Sequence, residues 1–252
     1  MKRIIVKHLN KEFRIDRVKG VSVLGRMVGL FSQRKQKKIR IADDLSFDVE
    51  AGESVGIIGL NGSGKSTLLR LIASIYETDS GSIHTEGSLV YLSGFGQGLK
   101  QMLSMRENIY LMGAMLGLSP ADIREKFDEI IEFSGLAEFV DAKVYQFSSG
   151  MLTRLNFSVM ILCIKHKNPD ILLLDEVFSA GADIDFQTRA LAKMKELIHS
   201  GATVLLVSHH METIRRNCDR VIWMEKGAIA RVGVPEEVIE AYLQARSKKT
   251  AF

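Results

Sequence analysis

The 252-residue chain is 46% hydrophobic and 25% charged with only 3 prolines, a composition that excludes disordered and fibrous classes and suits one large globular domain, or one with a subdomain. Two distant cysteines, Cys163 and Cys218, suit a reducing cytoplasm rather than a disulfide scaffold, the start lacks a secretion signal, and no apolar run nears the roughly 18 residues of a spanning helix. Of the net charge of +4, residues 14–40 carry nine Lys/Arg against Asp16, a local +8 that leaves −4 for the rest and argues against a broad nucleic-acid face.

In chain order, Ile4–Lys7 reads as a strand and Asn10–Phe13 as a turn ending in an aromatic. Residues 14–40 then interrupt the pattern. Within them Val21, Leu24, Val28 and Phe31 recur at helical spacing, and five bases follow from Arg34 to Arg40. Two readings stand: an amphipathic helix held at an anionic membrane surface by the basic run, or a solvated loop whose helix packs on the domain. Ile41–Gly52, alternating apolar and polar from Leu45 on, predicts a strand and tight turn. Ser54–Ile58 is an apolar strand, and Leu68–Ala73 begins a helix. Asp79–Gly81 reads as a turn and Gly87–Leu92 as a strand. Helices follow from Met105 to Ile164, one opened by Ser119-Pro120 and another from Gly150 to about Lys165. Ile171–Leu174 and Thr203–Val207 are apolar strands of the kind buried in a parallel sheet. A helix over Gln187–His199, short strands at Arg220–Met224 and Ala228–Val232, and a helix over Pro235–Arg246 complete the chain, with a frayed tail from Ser247. The expected fold is α/β: a phosphate-loop ATPase core with a mixed sheet over about 1–95 and 165–252, an inserted helical subdomain over about 96–164, and the basic insertion over about 14–40.

Between the Ser54–Ile58 strand and the helix stands Gly59-Leu-Asn-Gly62-Ser-Gly64-Lys65-Ser66-Thr67. Its G-x-x-x-x-G-K-[ST] spacing is that of a phosphate-binding loop, in which glycines let successive N–H groups point at a polyphosphate. The helix start adds its positive end. Gly59, Asn61, Gly62, Ser63, Gly64, Lys65, Ser66 and Thr67 are the candidate nucleotide-binding residues. Lys65 reaches the outer phosphates, and the Ser66 hydroxyl takes a Mg²⁺ position. Asp175 ends the apolar run Ile171–Leu174, where a carboxylate joins Ser66 at the metal. Glu176, next to it, is placed to orient the attacking water or take its proton.

Phe147-Ser148-Ser149-Gly150-Met151 precedes a helix and resembles the signature of ABC ATPases, with Ser148, Ser149 and Gly150 as γ-phosphate binders. His209 follows the Thr203–Val207 strand, where that family keeps a switch histidine. The order phosphate loop, signature, apolar-Asp-Glu, histidine resembles the ABC ATPase family over nearly the whole chain. Ser149-Gly150-Met151 with Arg154-Leu-Asn-Phe, Arg106-Glu-Asn-Ile-Tyr-Leu, Gly96-Gln-Gly98 and Asp175-Glu-Val are similar to the ATP-binding subunits of polysaccharide-export ABC transporters.

The resemblance implies ATP and Mg²⁺ as ligands and a homodimer with each ATP sandwiched between one phosphate loop and the partner's Ser148–Gly150. It also implies a peripheral place for this chain at the cytoplasmic face of the cell (inner) membrane, beside an integral-membrane permease through which a lipid-linked glycan of O-antigen, capsule or teichoic acid type passes, and no nucleic-acid partner. Phe13 is then the stacking platform for adenine. Where many relatives carry a Mg²⁺-sensing glutamine this chain has Phe95, with Gln97 two residues on as the candidate metal residue. The loop Ser179–Asp183 holds one residue more than the family pattern, which unsettles the contact of Asp183 across the dimer. The chain stops too soon for the added C-terminal sugar-binding domain of larger members. Two alternatives are export of another lipid or peptide, and a soluble ABC-type ATPase acting on nucleic acid or ribosomes.

Overall fold

Three five-residue runs, Ser54–Ile58, Ile171–Asp175 and Thr203–Val207, are buried at every position. A strand buried on both faces belongs in the middle of a sheet covered on both sides. In the computed structural model, which describes residues 1–15, 37–93, 98–177 and 183–250, they do so. With β1 (Lys2–Ile15), β2 (Lys37–Glu50), β3 (Ser54–Ile58), β4 (Ser80–Thr85), β5 (Leu89–Ser93), β6 (Ile171–Asp175), β7 (Thr203–Val207), β8 (Arg220–Glu225) and β9 (Ala228–Gly233), the main sheet runs β5-β6-β7-β3-β8-β9. Its first five strands are parallel, and β9 returns antiparallel to β8. A second, antiparallel sheet has the order β2-β1-β4.

The period of two in a strand divides each central strand between two cores. Val55, Ile57, Ile171, Leu173, Leu205 and Val207 face the antiparallel sheet and the helix α1 (Lys65–Ile72). Leu172, Leu174, Val204 and Leu206 face the other side. There they meet helices α2 (Met105–Met115), α3 (Pro120–Ser134), α4 (Ser149–Lys167), α5 (Ile184–Ile198), α6 (Met211–Asn217) and α7 (Pro235–Thr250). Helices α2 and α3 open on capping boxes, Ser104 with Glu107 and Ser119 with Asp122, in which each serine caps a first-turn amide and the acid returns to the serine N–H.

Several expectations are revised. Asn10–Phe13 is part of the 14-residue strand β1, whose register slips beside His8 (φ 49°) hide its length from the pattern. The basic run enters β2 at Lys37. Of the turn expected at Asp79–Gly81, Asp79 is a bend and Ser80 and Gly81 begin strand β4, and α6 was not anticipated. Helix α5 starts at Ile184, and α7 continues to Thr250 instead of fraying at Ser247. The amphipathic pattern Val21–Phe31, the bases Arg34 and Lys35, Gln97, and the loop residues Ser179–Ala182 lie outside the described residues. No helix among the described residues is long and apolar enough to cross a membrane.

Candidate functional site

Parallel strands place their carboxyl ends on one edge of the sheet, and the connections there converge. The ends of β3, β6 and β7 carry, in turn, the glycine loop, Asp175 with Glu176, and Ser208 with His209. The loop needs glycine for two separate reasons. Gly64 caps α1 at φ 105°, and a Cβ there would sit 2.5 Å from the Ile41 carbonyl oxygen. Gly59 lies so close to β8 that a Cβ would be 2.3 Å from the Met224 carbonyl oxygen.

Within the loop, the Ser63 N–H is used by the Leu60 carbonyl. The N–H groups of Gly62, Gly64, Lys65, Ser66 and Thr67 find no acceptor among the described residues. Helix α1 has no acid in its first turn. Five open amides at a helix start form a cradle for an anion. Lys65 is buried, and its ammonium donates to the Gly59 carbonyl at 2.9 Å and the Leu60 carbonyl at 3.1 Å. Burial pushes its pKa down, opposed by the charges of Glu176 and Asp175. Ser63 Oγ is buried with no partner among the described residues, and Asn61 stands at the exposed tip.

Asp175 is only 5% exposed, and both its oxygens have donors. The Ser66 hydroxyl donates to Oδ1 at 2.9 Å, and the Tyr91 hydroxyl lies 3.1 Å from Oδ2. Among the described residues no group of three or more His, Cys, Asp or Glu gathers as a metal cage. A two-oxygen pair beside a phosphate cradle fits Mg²⁺, which keeps waters and takes its remaining ligands from phosphate. Glu176 has φ 57°, unusual for a side chain with a Cβ. Its N–H donates to the Val207 carbonyl, and its carboxylate meets His209 Nε2 at 2.7 Å. The two residues that the sequence singled out separately are thus one pair.

Phe13 is half-buried, with the Tyr76 ring edge-on to it at 5.5 Å between ring centres and the Lys11 ammonium 5.5 Å from its ring centre. It pairs in register with Ile39, two residues before the Ile41 that abuts Gly64. Ser148 caps α4 by accepting from the Met151 N–H at 3.3 Å, and Ser149 accepts from the Thr153 hydroxyl. Among the described residues no hydrogen bond joins Ser148, Ser149 or Gly150 to the glycine loop. Asp183 caps α5 through the Phe186 N–H and lies 3.6 Å from Arg154 of its own chain.

Sequence reasoning missed Tyr91 and Arg70. Arg70 Nε donates to the Tyr91 oxygen at 3.2 Å. Tyr91 sits two residues before Ser93, which is in register with Asp175, and that pairing depends on β5 lying beside β6. No local pattern announces strand order.

Residues 42–179 match the family model described as ABC transporter. The chain is 42% identical over 215 residues to the O-antigen export system ATP-binding protein RfbB of Klebsiella pneumoniae, covering 85% of each. It is 39% identical over 240 residues to the teichoic acids export ATP-binding protein TagH of Lactococcus lactis subsp. lactis, covering 95% of this chain and 50% of that one. Among solved structures, the ATP-binding subunit of an ABC transporter superposes with TM-score 0.68 at 25% identity, over 95% of this chain and 92% of that one. A dimeric ATP-binding cassette in a post-hydrolysis state with ADP and Pi superposes with TM-score 0.67 at 20% identity, over 92% and 98%.

Proposed function

Because this chain belongs to the ABC transporter family, we propose that it is the ATP-hydrolysing subunit of an export system that moves a lipid-linked polysaccharide through a separate membrane permease. The observation that carries the ATPase part is the convergence of the open-amide loop, the Ser66–Asp175 pair and the Glu176–His209 pair on one sheet edge. Kinship with proteins named for O-antigen and teichoic acid export supports the polymer.

On this reading the loop amides and Lys65 bind the triphosphate, and Phe13 stacks on the base. Ser66 and Asp175 hold Mg²⁺, which when bound offsets charge on the phosphate oxygens. Glu176 orients the attacking water and accepts its proton, while His209 holds the Glu176 carboxylate in place. Ser148, Ser149 and Gly150 point their helix start at the γ-phosphate of a second copy, which accounts for their separation from the loop of their own chain. The nucleotide core over 1–95 and 165–252 and the helical part over 96–164 then move against each other as ATP closes and reopens the pair. Gln97 is assigned to sense the metal. The +8 stretch over 14–40 is assigned to the anionic leaflet at the cytoplasmic face. Vesicle binding at low salt that is unchanged after neutralising Arg34–Arg40 removes that last element.

The test is stimulation of phosphate release by the co-reconstituted permease, compared with stimulation by nucleic acid. Acceleration by the permease is expected. Acceleration by nucleic acid alone moves the chain to the soluble class.

A further inference from the structure

A buried carboxylate that must hold a metal needs its rotation set by something other than the metal. Asp175 is almost wholly buried, so each oxygen requires a donor. Oδ1 has the Ser66 hydroxyl. Oδ2 has the Tyr91 hydroxyl, and that contact has a defined direction. A guanidinium has donors only, so the Arg70 Nε–H that lies 3.2 Å from the phenol oxygen makes that oxygen an acceptor. The Ser93 side chain also hydrogen-bonds this phenol, but an ionised carboxylate is a stronger acceptor than a hydroxyl, so the single phenolic proton is turned to Asp175, 3.1 Å away. Three elements meet in this chain: the last turn of α1, strand β5 and the end of β6.

We propose that Tyr91, with its proton directed by Arg70, is a positioning residue that holds the Asp175 carboxylate in the rotation required for the divalent cation beside the nucleotide. The proposal rests on the assignment of Ser66 and Asp175 to that cation. Groups that hydrogen-bond a metal-bound carboxylate set its orientation, and their loss typically weakens metal binding about 10–100-fold. Tyr91→Phe removes one oxygen and keeps the ring on β5. Oδ2 is then left without its donor.

The experiment measures the affinity of a fluorescent ATP analogue in EDTA and in Mg²⁺, in a Glu176→Gln background where turnover does not intrude. The ratio of the two affinities is the gain due to the cation. Tyr91→Phe is expected to leave the EDTA affinity within about twofold and to cut the Mg²⁺ gain about tenfold. Arg70→Met, which frees the phenol to rotate, is expected to cut the gain less and in the same direction. Asp175→Asn serves as the reference and is expected to abolish the gain. If Asp175→Asn loses the gain and Tyr91→Phe keeps it, the role of Tyr91 is overturned while the metal assignment stands. If both keep it, the metal assignment itself fails. A Tyr91→Phe loss of equal size in EDTA and in Mg²⁺ overturns the proposal by making Tyr91 a support of the phosphate loop.

Discussion

Glu176 carries the strained backbone of the site. A left-handed conformation costs a residue with a Cβ about 1 kcal/mol, and here it sets the carboxylate against His209. Glu176→Gln keeps the shape and removes the proposed proton acceptor. Phosphate release is expected to fall by at least about 10²-fold, with ATP affinity within about twofold, as read by nucleotide titration. Unchanged turnover removes Glu176 from the reaction. The two thiols are the opposite case, residues whose surroundings silence them. Burial pushes Cys163 up to about 11, and burial aided by Asp219 pushes Cys218 up to about 12. A thiolate is the reactive form, so iodoacetamide at pH 8 is expected to label neither in the native protein and both in urea. Prompt native labelling of either contradicts the packing. Side chains whose partners are near in sequence or fixed by a motif, such as Lys65 and Asp175, were legible from the sequence. Tyr91 was not, because its role exists only once β5 pairs with β6.

At the element scale, legibility followed the strength of periodicity and capping. Strands β3, β6 and β7 announced themselves as unbroken apolar runs, and the start of α3 as Ser119-Pro120. Strand β4, SGSIHT, has almost no apolar residues and is held by backbone pairing to β1 alone in its sheet, so polar composition made its start read as a turn. Helix α6 spans 7 residues, too few for an apolar stripe to repeat. Caps are also testable. The Ser119 hydroxyl accepts from the Asp122 N–H, and the Asp122 carboxylate returns to the Ser119 N–H at 2.9 Å. Ser119→Ala is expected to lower stability by about 1 kcal/mol in urea unfolding, with the ATPase rate unchanged. A stability loss below about 0.3 kcal/mol shows that Pro120 and α3 packing start the helix without the cap.

For the whole molecule, the separation of Ser148–Gly150 from the glycine loop has a consequence that no single chain can display. If each site takes its loop from one copy and its α4 start from the other, two defects in different copies of a mixed dimer fall in the same site and leave the second intact. Lys65→Ala disables the loop. Gly150→Asp sets a negative charge where a γ-phosphate is expected, and the fold accepts it. A Cβ at Gly150 would meet only Ser148 Oγ, at 3.9 Å, and an acid in the first turn suits the helix dipole. Each variant alone is expected to be inactive. In a one-to-one mixture about half the dimers are mixed, and each mixed dimer has one working site of two, so about a quarter of the wild-type rate returns. Phosphate release by the mixture, with circular dichroism to confirm that both variants fold, measures it. A mixture as inactive as its components contradicts two independent sites shared between copies, and activity in Gly150→Asp alone contradicts any role for α4 at the phosphate.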